Sequence, residues 1–113
     1  MSGGQITLQV EGYLGVQTDA VPPYVMESAY AVRDVSAIVL QAPSGGAVTL
    51  QVRSGSTVFA TLTIPAGQTV SNTLDGFGLV PLAVGAQIHL DVTSVPGGAG
   101  TLSGEDLTVT IRL

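Results

Sequence analysis

The chain has 113 residues, of which 45% are hydrophobic and only 10% charged, with a formal net charge of -5 and no Cys. That length supports one domain with its own core and no need of a disulfide or metal, and the lack of cysteine excludes thiolate metal and redox chemistry. Arg33, Arg53 and Arg112 are the whole basic complement against eight acidic residues, with no Lys, so no cluster exists to neutralise phosphates and nucleic acid is excluded as a partner.

In chain order, Ile6, Leu8 and Val10 alternate with Gln5, Thr7 and Gln9, the period of two that a half-buried strand requires. The glycines of Glu11-Gly12-Tyr13-Leu14-Gly15 predict a bend or bulge at its end. From Val16 to Glu27 the pattern breaks around Asp19 and Pro22-Pro23, and paired prolines that cannot donate ladder hydrogen bonds predict an extended loop. Residues 1–35 therefore read as an N-terminal strand and an extended loop that contribute to assembly, with a short strand over Ala29 to Arg33.

Ser36 to Gln41 reads as a strand, followed by the turn Ala42-Pro43-Ser44-Gly45-Gly46. Val48 to Arg53 and Thr57 to Ile64 form a tight hairpin around Ser54-Gly55-Ser56. In the second of these strands Val58, Ala60, Leu62 and Ile64 share a face, which leaves Phe59 opposite, either exposed or covered by a neighbouring subunit. Gln68 to Val80 is irregular, with room for a short helical turn at Asp75-Gly76-Phe77-Gly78. Ala86 to Val95 alternates cleanly, Pro96 to Gly100 is a loose connection, Glu105-Asp106 is a loop, and the last strand buries Leu107, Val109 and Ile111. Seven to eight short strands separated by turn signals predict an all-β chain: a single antiparallel β-sandwich over residues 1–113, jelly-roll-like in topology.

Few residues invite chemistry. His89 is the single His and stands two residues from Asp91 on the polar side of its strand, within reach of a hydrogen bond. No nucleophile is legible beside them, so the pattern fits a surface or interface histidine and the chain reads as no enzyme. Carboxylates at Glu105, Asp106, Asp75 and Asp19 would suit calcium, but their spacing does not resemble an EF-hand and they read as solvated turns. No cofactor or metal is expected. Gly97-Gly98-Ala99-Gly100 lacks the helix that a phosphate cradle exploits. Sugar recognition on sandwiches uses aromatic platforms, and here Tyr24 and Phe77, both in predicted loops, are the candidate ligand contacts.

The strongest functional signal is the kind of polarity. Soluble sheets blunt their exposed edges with charge, Lys above all, whereas these strands show Thr and Gln to solvent. A surface so poor in charge suits a part that is covered in an assembly, and Thr49, Gln51, Phe59 and Thr61 are the candidate subunit interface.

Ala42-Pro43-Ser44-Gly45, then Val48 to Arg53 with its Ser54-Gly55 hairpin into Val58-Phe59, Thr63-Ile64-Pro65-Ala66-Gly67, Leu82-Ala83-Val84-Gly85 and Gly104 to Ile111 together resemble a small β-sandwich module of bacteriophage virion proteins. Head fibres or spikes, decoration proteins and distal tail-fibre domains carry that module. The chain departs from it with Ser54-Gly55 in place of Asn-Gly and with Ala86 in place of an acid. The resemblance implies a virion structural protein that forms a homo-oligomer or docks on other virion proteins and contacts the host surface. The alternative is a carbohydrate-binding module that reads host-surface glycans. No charged, hydrophobic leader is visible after Met1, and no apolar run approaches the ~20 residues of a membrane helix. The expected place is the virion, assembled in the host cytoplasm, without membrane insertion.

Overall fold

The computed structural model describes residues 5–29, 31–75 and 81–113. Among these residues eight strands occur in chain order: β1 (Gln5–Tyr13), β2 (Tyr24–Val25), β3 (Asp34–Gln41), β4 (Val48–Ser54), β5 (Thr57–Ile64), β6 (Leu74–Asp75), β7 (Gln87–Ser94) and β8 (Glu105–Arg112). They form two antiparallel sheets, in the orders β1-β8-β3-β6 and β2-β7-β4-β5. That order is a jelly roll: every connection except the β4–β5 hairpin crosses from one sheet to the other. The described residues contain no helix long and apolar enough to cross a membrane.

Alternation decides which side chains meet between the layers. Ile6 and Leu8 of β1, Leu107, Val109 and Ile111 of β8, and Val35, Ala37 and Val39 of β3 supply one inner face. Val48, Leu50 and Val52 of β4, Leu62 and Ile64 of β5, and Ile88, Leu90 and Val92 of β7 supply the other. Leu14, Val21, Met26, Val32 and Leu82 come from connections and join the same cluster. Most of these are β-branched or Leu, types that fit a pleated, half-buried surface.

Three irregularities reshape the expected pattern. In β1 the register shifts between Val10 and Tyr13, where Gly12 has a φ of 79°, so the expected bulge is present and the strand continues beyond it. In β7 the shift lies opposite Thr49 and Leu50. In β5 the shift falls between Val52 and Arg53 of β4: Val52 pairs with Ala60 and Arg53 with Val58, leaving Phe59 as the extra residue. A bulge puts two successive side chains on one side. Phe59 consequently joins Ala60 in the core at 9% exposure, and Val58 turns outward at 42%. The expectation that Phe59 opposes Ala60 and faces out is corrected by that single inserted residue.

Other boundaries also move. Residues 31–33 form no strand, although the Arg33 N–H donates to the Arg112 carbonyl. Glu105 and Asp106 belong to β8 and not to a loop. The Pro96–Gly100 connection is tied down: Leu102 and Ser44 exchange backbone hydrogen bonds, pinning it to the β3–β4 turn. Gly45 in that turn has a φ of 80°, and a β-carbon there would run into the side chain of Thr101, so glycine is required on both counts. The hairpin turn carries Gly55 at its first central position with a φ of 61°, the placement a type II′ turn takes.

The long connections close the open sides of the sandwich. Residues 17–26 run along the outer edge of β7 through Gln17–Val92 and Ala20–Leu90 backbone bonds and then β2. Residues 69–72 lie along β3, where the Ala37 N–H donates to Ser71 Oγ at 2.9 Å, and Asn72 crosses to β5 by bonding Thr63.

Candidate functional site

On the outer face of the β2-β7-β4-β5 sheet, Thr61, Gln51 and Asp91 form one cross-strand row, and Thr63 and Thr49 form the next. Three of the four expected interface residues, Thr49, Gln51 and Thr61, thus share one outward face; Phe59 lies inside the subunit. Thr93 closes the uncharged patch by donating from Oγ1 to the Thr49 carbonyl at 3.2 Å.

Beside this patch stands the densest polar cluster among the described residues. Arg53 of β4 donates from Nε to Asp91 Oδ2 at 2.7 Å and from Nη2 to Asp91 Oδ1 at 3.1 Å. The same Nη2 reaches Asp19 Oδ1 at 2.7 Å, and Nη1 donates to the Gly55 carbonyl. His89 Nδ1 lies 2.7 Å from that same Asp19 oxygen, and the Asp19 N–H donates to Asp91 Oδ1. Asp19 holds this position with a φ of 54°, a left-handed conformation that Asp tolerates better than most residues.

The hydrogen bond from Arg53 holds the Asp91 carboxyl below the usual carboxylate range, against burial, which acts in the opposite direction. The Arg53 guanidinium is held above its ordinary value for the reciprocal reason. Chemically this is a neutralising network. The His89–Asp91 hydrogen bond that i+2 spacing allows does not form, because Arg53 occupies Asp91 and Asp19 occupies His89. Among the described residues the polar partner of His89 is the Asp19 carboxylate and not a hydroxyl. Sequence reading weighed Asp19 only as a carboxylate for calcium and missed its pairing with His89 and Arg53, because it is 70 residues from His89 and sits in a connection with no periodicity.

A second pair does the same on the other sheet. Arg112 of β8 forks onto Asp34 of β3, directly across the ladder, with Nη2 to Oδ2 at 2.6 Å and Nε to Oδ1 at 2.8 Å. That hydrogen bond lowers the Asp34 carboxyl in the same way. Around it the outer face is again uncharged: Thr7, Thr110 and Ser36 form one cross-strand row, and Gln9, Thr108 and Ile38 the next. Ile38 at 52%, Leu40 at 78% and Val70 at 54% add exposed apolar surface.

The carboxylates weighed for calcium are dispersed. Asp106 accepts the Gly12 N–H at 2.8 Å inside the β1 bulge, and Asp19 belongs to the Arg53 network. Among the described residues no group of three or more His, Asp or Glu side chains is arranged to hold a metal ion. Tyr24 is 42% exposed on β2, at a gap of about 210 Å³ between the sheets, whereas Phe77 lies outside the described residues. Tyr13, 66% exposed, stands at the far end of β1, on the order of 25 Å along the strand from Gln5, which shares the gap with Tyr24.

The chain matches no protein-family model and no curated protein. Among solved structures it is similar to the globular domain of zebrafish complement 1qA protein, with a TM-score of 0.50 and 14% identity over 96% of this chain and 94% of that one. At that identity the likeness is one of fold, a jelly-roll-like β-sandwich.

Proposed function

We propose that the chain is a non-enzymatic structural module of a virion, of the capsid-decoration, head-fibre, spike or tail-fibre kind, that works in contact with copies of itself and with other virion proteins. The observation that carries this reading is the character of the two outer sheet faces. Each presents rows of Thr, Ser and Gln, and Arg53 and Arg112, two of the three cations, are consumed by carboxylates of the same subunit. Such faces offer little hydration by charge and little penalty for being covered, since uncharged hydroxyls and amides exchange water for partner groups at modest cost. The virion assignment adds the segments from Ala42 to Ile111 that resemble phage sandwich modules. Among the described residues the glycan-binding alternative has less to build on, because the exposed Tyr13 at the end of β1 and Tyr24 of β2 beside its start are far apart and build no shared platform.

Light scattering and sedimentation of the purified chain across the micromolar range are expected to show a stable oligomer, and gold-labelled antibody is expected to decorate particles from producing cells. A chain that stays monomeric at every concentration and is absent from particles overturns the reading.

A further inference from the structure

The two sheets have four outermost strands, and three of them are protected against pairing with another chain. β2 is two residues long and follows Pro22-Pro23. β6 is also two residues long. β5 is broken in its middle by the Phe59 bulge and clamped at Thr63 by Asn72. Short edges, prolines and bulges are the usual means of blunting a sheet edge. β1 has none of them from Gln5 to Val10. Over those residues, among the described parts of the chain, it pairs with β8 alone, carries no charge and no proline, and meets its bulge only afterwards.

We propose that this edge is the contact surface for a second copy of the chain, with β1 pairing antiparallel to the partner's β1 about a two-fold axis through Thr7. The local sequence is self-complementary in that register. Gln5-Ile6-Thr7-Leu8-Gln9 sets Gln5 opposite the partner's Gln9, Ile6 opposite its Leu8, and Thr7 opposite its own copy. Ile6 and Leu8 are buried and point between the layers, while Gln5, Thr7 and Gln9 are exposed. Pairing therefore continues both faces of the sheet: apolar against apolar inside, amide and hydroxyl against the same outside.

Charge argues for the same occupant. Each chain carries a net -5, and two such chains approach most readily where neither presents a carboxylate, which Gln5 to Val10 provides. The surroundings also favour a second copy. Beside β1 the sandwich is open, with a gap of about 210 Å³ lined by Gln5, Ile6, Tyr24, Met26, Ser28 and Leu113 together with one carboxylate, Glu27, and Tyr24 is 42% exposed at it. A strand added to β1 would overhang that gap and cover the rim. The resulting sheet is continuous across the dimer, and an isologous contact of this kind closes on itself without propagating into a fibre.

This inference rests on the assembly reading above and is separable from it by experiment. Thr7→Lys places two ammonium groups face to face on the axis and is expected to raise the dimer dissociation constant about tenfold or more by sedimentation velocity. Thr7→Glu is expected to do the same, and an equimolar mixture of the two variants is expected to recover the dimer as a mixed pair in native mass spectrometry. Circular dichroism checks that both variants fold, which the exposure of Thr7 favours. Thr57→Lys, an exposed position at the hairpin end of β5 on the opposite sheet, is expected to leave this dimer intact. An oligomeric wild type whose dissociation constant Thr7→Lys leaves unchanged overturns the β1 contact alone; a monomeric wild type overturns the contact and the assembly reading together.

Discussion

Asp91 shows how one residue converts an expected chemistry into a structural one. It sits two places from His89 on a clean strand, the spacing that suggests an acid orienting a base, yet its carboxylate is taken by the Arg53 fork and by the Asp19 N–H. Because Arg53 holds the Asp91 carboxyl below its ordinary value, the ionised form is favoured in the folded state. Its contribution is fully present above the unfolded carboxylate value of about 3.9 and disappears as pH falls through the lower folded value. Asp91→Asn is accordingly expected to lower the urea midpoint at pH 7, and the gap from wild type is expected to narrow as unfolding is repeated below pH 4. An equal gap at both pH values would show that the charge is not what Asp91 contributes.

At the scale of the element, the β5 bulge has the largest consequence. One additional residue opposite Val52 reverses the facing of Val58 and Phe59 and sends the aromatic ring into the core. Phe59→Ala is expected to destabilise the fold by about 3 kcal/mol in chemical denaturation, the cost of removing a large buried side chain. Val58→Ala is expected to cost less than about 1 kcal/mol, as an exposed position does. Alternation alone ranks the two substitutions the other way round, so the comparison tests the bulge directly. Sequence could not place it: Thr-Val-Phe-Ala contains no glycine to mark an irregularity, whereas Gly12 does mark the bulge in β1. The strands themselves were legible. Val48 to Arg53, Thr57 to Ile64 and Ala86 to Val95 coincide closely with β4, β5 and β7, because each is a run of apolar residues at period two between Gly or Pro turns.

For the whole molecule, the jelly-roll order makes nearly every contact a distant one. β1 pairs with β8, so Ile6 meets Ile111, and only the β4–β5 hairpin is closed locally. Such a chain must close long loops before its sheets are rewarded, and refolding in the millisecond to second range is expected by stopped-flow measurement. Microsecond refolding would contradict the topology.

What the sequence by itself determined is the fold class and the nature of the surface. Period-two alternation makes strands with one apolar face, turns cut them to sandwich length, and Thr and Gln in place of charge make the outer faces neutral whichever strands are neighbours. What only the tertiary structure decided is adjacency. It brought Asp19 to Arg53 and His89, Arg112 to Asp34, and left β1 as the unguarded edge while the other three are blunted. The physical reason is range. Alternation and turn chemistry act over a few residues, whereas an ion pair or a sheet edge depends on which strands the whole core brings side by side.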